Sequence, residues 1–155
     1  MGQGVLSDLR HALPRLAPLA VEWAEQAAAE AAAIGACLDA EGEVLARRVG
    51  VFDFARVRLV VAPELPFPDE AELRAAALET GLLGPDMAGL TLGHAIFIRT
   101  GELTPRLLSH ELRHVAQYEA AGSIGAFLPI YLGQILHFGY RDAPFEVDAR
   151  SHEAG

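Results

Sequence analysis

The chain is short of cysteine, of basic residues and of long uncharged runs, and each shortage removes a class of protein. Cys37 is the only cysteine, so no internal disulfide framework is available. A reducing, cytoplasmic setting is expected, with Cys37 packed in the core. Twelve Lys and Arg stand against 21 Asp and Glu, a formal charge of −9. A nucleic-acid surface needs a basic stripe to displace counterions from phosphates. None is present, so nucleic acid is not an expected partner.

A membrane span is also missing from the pattern. Residues 16–38 are rich in alanine and leucine, but Glu22, Glu25 and Glu30 interrupt them. Ile124 to Phe138 carries no Asp, Glu, Lys or Arg, yet it falls short of the roughly 20 residues a spanning helix needs and contains Pro129. It reads as a buried or pocket-lining helix rather than a membrane contact. No signal-peptide core or myristoylation pattern is read at the start. No repeat, low-complexity linker or charge block divides the 155 residues, of which 52% are hydrophobic. One domain large enough to bury a core is expected, and oligomeric state is left open.

What is present predicts an α+β fold, a small sheet from the middle of the chain with helices before and after it. Residues 5–13 predict a weak helix ended by Pro14, and Pro18 opens a longer helix to about Ala36 with Trp23, Ala27, Ile34 and Leu38 on one face. Asp39 to Gly42 reads as a turn and Glu43 to Val49 as a short helix. Val57 to Val61 is β-branched and stopped by Pro63, a strand. Asp69 and Glu72 predict a capping box for a helix to Gly81, and Gly81 to Gly89 a loop. Thr91 to Arg99 reads as one strand, with His94 packed and Gly93 a possible bulge. This strand could receive an extended peptide by strand addition. Thr104-Pro105 starts a helix that Gly122 ends, and Pro144 opens a last short helix carrying Glu146.

The helix from Pro105 to Ala121 contains His110-Glu111-Leu112-Arg113-His114. Side chains four apart share a helical face, so both imidazoles can reach one metal ion while Glu111 stands beside them as a general base. Catalytic zinc usually takes three protein ligands. The continuation H-x-x-G-x-x-H is excluded, because Gln117 and Ala120 stand where its glycine and last histidine belong. Glu119 is rotated off the histidine face. Glu146 is the best-placed third ligand, at the start of a new helix. His137, Asp148 and His152 stay open as rivals, His137 above all because an imidazole in an apolar run needs a partner. Gln117 is a candidate to hydrogen-bond a ligand or substrate.

Gly89-Leu90-Thr91-Leu92-Gly93, Ile96-Phe97-Ile98-Arg99, Leu108 through Gln117 and Ala143 through Ala149 together resemble a bacterial family of gluzincin-like zinc metallopeptidases, long known only as a domain of unknown function. The resemblance covers about residues 56 to 150. It implies a zincin-like core over 56–155, with 1–55 a helical N-terminal part. It also implies that His110, His114 and Glu146 hold Zn²⁺, that Glu111 activates water, and that a peptide or protein is the substrate. Where many gluzincins carry an aspartate to orient a ligating histidine, this chain has Arg150. Tyr140, Tyr131, His137 and Tyr118 are the candidate oxyanion donors. The alternative expectation is a zinc-binding scaffold or interaction module that keeps the fold and cleaves nothing.

Overall fold

A computed structural model of the protein describes residues 3–83 and 86–155. Six helices surround a three-stranded mixed sheet, an α+β arrangement. They are α1 (Gln3–Ile34), α2 (Ala40–Arg48), α3 (Ala71–Thr80), α4 (Pro105–Ala121), α5 (Ile124–Phe138) and α6 (Pro144–Ser151). The strands β1 (Arg58–Ala62), β2 (Gly89–Leu92) and β3 (Ala95–Arg99) lie in the order β1-β3-β2. β1 runs parallel to β3 and β2 antiparallel to it, so β2 is an edge.

Packing overrides local signals at the N-terminus. Instead of two helices broken at Pro14, α1 runs through both Pro14 and Pro18. Each internal proline removes a backbone hydrogen bond at a cost of about 3 kcal/mol. The long contact of α1 with α5, with α3 and with the sheet offsets that cost. The packed face also differs from expectation. Leu16, Ala17, Ala20, Ala24, Ala27 and Ala31 are buried, Trp23 is half-buried, and Ile34 points to solvent at 77% exposure. Small side chains let the helix backbone approach its neighbours closely. Cys37, expected in the core, is exposed.

Two other expectations change. The strand foreseen from Thr91 to Arg99 is a hairpin, because Gly93 takes φ +66° and closes a two-residue turn with His94. Glycine at the first position of such a turn matches the twist of the flanking strands. At α3 the cap is Glu70, which accepts from the Leu73 N–H, while Glu72 pairs with Arg15. The loop expected over Gly81–Gly89 includes Gly84 and Pro85, outside the described residues, and Gly89 already belongs to β2. The short helix expected at Glu43 begins earlier, at Ala40, because Asp39 caps it through the Gly42 N–H.

The C-terminal half follows its punctuation. Thr104 Oγ1 accepts from the Leu107 N–H, Pro105 opens α4, and Gly122 closes it at φ +105°. Ser123 then caps α5 through the Ala126 N–H. Leu108, Leu112 and Val115 enter a core with Ile96, Ile98, Val49 and Val57. Among the described residues no single helix is long and apolar enough to cross a membrane, and α4 with α5 reach that length only across a 117° bend.

The alanine face can be checked directly. Ala24→Leu, at a position 0% exposed, is expected to destabilise by about 1–3 kcal/mol through overpacking. Ile34→Ser is expected to stay within about 0.5 kcal/mol. Urea unfolding of the two variants compares them.

Candidate metal centre

One face of α4 presents the imidazoles of His110 and His114, both buried, with ring centroids 5.0 Å apart. Glu146, on the first turn of α6, is 1% exposed and lies across both rings. Its Oε1 is 3.1 Å from His110 Nε2 and its Oε2 is 2.9 Å from His114 Nε2. Tyr131, from α5, donates its hydroxyl to Glu146 Oε2 at 2.8 Å. Three helices therefore converge on one carboxylate.

The far nitrogens of the two rings fix their orientation. Gln117 donates from its amide nitrogen to the Phe145 carbonyl and to Asp148 Oδ2, at 3.0 and 2.8 Å. Its oxygen is thereby turned to His114 Nδ1 at 2.8 Å and can only accept. His114 therefore carries a proton on Nδ1, and Nε2, which faces Glu146, is the nitrogen a metal would take once its own proton has left. His110 Nδ1 meets the carboxylate of Glu153 at 2.8 Å, which also fixes Nδ1–H. Such outer partners set the tautomer of ligating histidines in metal sites.

Glu111 is buried beside these groups but held differently. Thr91 donates to its Oε1 at 2.9 Å, and a Cβ at Gly89 would come within 3.1–3.2 Å of its side chain, so the glycine leaves the space the carboxylate occupies. Ligand atoms of His110, Glu111 and His114 lie within 4.8 Å of one another, a group able to hold a metal ion. Glu111 belongs to that group by proximity, whereas Glu146 touches both ring nitrogens. Donor atoms about 2.0–2.1 Å from a tetrahedral zinc lie about 3.3–3.4 Å apart. The contacts to Glu146, 3.1 and 2.9 Å, are shorter than that and have hydrogen-bond lengths, so the two Nε2 atoms and this carboxylate would open slightly to serve as a donor set.

The two carboxylates titrate in opposite directions. Burial raises Glu111 above the usual carboxylate range, and the nearby histidines only partly oppose it. Burial works to raise Glu146 as well, but hydrogen bonds from His110 and His114 overcome it and hold this group well below that range. For the histidines burial favours the neutral form, yet the contact with Glu146 wins. His110 is raised, and His114 is raised to about 9.

Other candidates lie elsewhere. His137 is exposed against Phe138, so solvent satisfies the imidazole that was expected to need a partner. Asp148 pairs with Arg113 at 2.7 Å and His152 caps back onto the Asp148 carbonyl. His94 and the Phe52 and Asp53 N–H groups all bind Glu119, away from the centre. Arg150 is directed to the Arg141 carbonyl. Of the hydroxyls considered, Tyr131 and Tyr140 face Glu146, while Tyr118 is buried against Phe127. Thr91 and Gly89 belong to a stretch that carries the resemblance, without a role being read for either, and no motif pointed to Glu153. Glu153 comes from the last residues of the chain, beyond α6, and only tertiary docking brings it to His110.

Two outcomes are expected. With chelator present, the raised histidine pKa values contribute stability that is complete below about 6.5, their unfolded value. That contribution is lost as pH rises towards about 9. Thermal melts in chelator should therefore fall in midpoint from pH 6.5 to 9, and Glu146→Gln should flatten the trend. Separately, Glu153→Ala is expected to weaken metal binding by about 10–100-fold, measured by competition with a chromophoric chelator.

No family model, no curated protein and no solved structure matches the chain, so its chemistry is read from this geometry.

Proposed function

We propose that the protein is a zinc-dependent metallopeptidase with a zincin-like core, as the sequence resemblance implies. The observation that carries this reading is the single carboxylate of Glu146 bridging both Nε2 atoms while a second, Glu111, is held apart by Thr91. His110, His114 and Glu146 would hold Zn²⁺. When bound, zinc polarises a scissile carbonyl and brings the pKa of a bound water from about 15.7 towards about 7.

The chain's own groups supply the rest. Glu111, with a raised pKa, is suited to accept a proton from water and return it to the leaving amine. Thr91 keeps that carboxylate in one position by donating to Oε1. Tyr131 and Tyr140 both hydrogen-bond to Glu146 beside the same centre, and either hydroxyl would serve a developing oxyanion only by turning from that carboxylate. β2 is an edge strand beside α4, a place where an extended peptide can add as a further strand.

Glu111→Gln is expected to retain zinc and lose about 10²–10⁴-fold in hydrolysis, read by proteomic cleavage profiling against wild type with chelator controls. Glu146→Ala is expected to lower zinc occupancy by elemental analysis. Equal cleavage by wild type and Glu111→Gln would favour a zinc-binding scaffold. Equal zinc in wild type and Glu146→Ala would remove Glu146 as a ligand.

A further inference from the structure

An apolar cavity of about 110 Å³ opens beside the metal centre. Its walls include Leu13, Leu16 and Trp23 of α1, Leu73 and Ala76 of α3, and Ile135 of α5. Glu111, His114, Tyr131 and Glu146 also line it, so the cavity adjoins the groups on which the chemistry is proposed. The N-terminal helix is thus neither a cover over the metal nor a remote appendage. It forms a wall of the space next to it.

Size and chemistry select the occupant. An apolar cavity of about 150 Å³ takes one benzene ring. The space here is smaller than that, so it suits one aliphatic side chain and is too small for an aromatic ring or a long acyl chain. Among the described residues no lysine or arginine lines it, so an acidic side chain or a fatty-acid carboxylate would find no counter-charge and would meet Glu111 at the mouth. A neutral apolar side chain loses no hydrogen bond on entering.

We infer that this cavity is the specificity pocket, receiving one leucine or methionine side chain of a peptide held at the metal centre. The inference rests on the peptidase reading for its occupant. Trp23 is the chain's only tryptophan and lies in the cavity wall, so its fluorescence reports filling.

The test uses zinc-loaded, full-length Glu111→Gln protein and blocked alanine pentapeptides with Leu, Phe, Ala or Asp at the central position. Trp23 fluorescence is the readout. The Leu peptide is expected to bind about tenfold or more tightly than the Ala and Asp peptides, and more tightly than the Phe peptide. Adding Ala76→Phe, which fills the cavity, should abolish the preference. Adding Leu13→Ala, which enlarges it, should shift preference towards the Phe peptide; in both variants circular dichroism and zinc content verify folding. Equal binding of all four peptides, an unchanged preference in both folded variants, or tighter binding of dodecanoate than of any peptide overturns the pocket. Selective binding together with no cleavage by the wild type would instead overturn the peptidase reading and leave the pocket standing.

Discussion

The structure depends on what is done with one buried carboxylate. Glu146 is 1% exposed, and an ionised carboxylate in such a place is costly unless it is paired and hydrogen-bonded. His110 and His114 meet its two oxygens and Tyr131 meets one of them again. Satisfying that charge fixes α6 against α4 and draws α5 to the same point. The geometry of the centre and the docking of the last three helices are one constraint. Removing the histidines would leave an uncompensated charge, which costs more than the pair contributes when intact.

The same centre separates two glutamates that are chemically identical in the unfolded chain. Glu146 receives hydrogen bonds from two imidazoles and stays ionised; Glu111 receives one from Thr91 and is otherwise governed by desolvation. Opposite shifts in neighbouring carboxyls are the pattern by which one site obtains both a ligand-type anion and a proton acceptor. Sequence distance has little part in this. Glu111 lies between the histidines in sequence, yet the distant Glu146 makes the direct contacts.

How much was legible follows from how local each cause is. Thr104-Pro105 and Gly122 act within a turn of α4, so its ends could be read, and the spacing of His110 and His114 put both on one face. Glu146 was readable as a candidate because a buried-looking helix start followed the apolar segment. The continuity of α1 was not readable, since Pro14 and Pro18 argue locally for breaks and only packing on α5 overrides them. The hairpin at Gly93 hid within an unbroken β-prone run. Glu153 gave no signal because neither periodicity nor spacing ties residue 153 to residue 110; the tail docks there through the Ala154 N–H on Ser109 and through Arg106.

Helix α5 shows why the N-terminal part matters to the site without supplying a ligand. Its Tyr131 reaches Glu146, while Ile135, about one turn further on, lines the apolar cavity that α1 completes. The contact between α1 and α5 therefore positions a hydroxyl at the metal centre and a wall of the cavity together. Small side chains along α1 make that approach possible, with Ala24 and Ala31 almost wholly buried. A change in that helix can reshape the cavity while His110, His114 and Glu146 keep their contacts, because those contacts run between α4 and α6. On the proposed reading, the ligand contacts lie between α4 and α6 while α1 supplies much of the cavity wall, and α5 touches both through Tyr131 and Ile135.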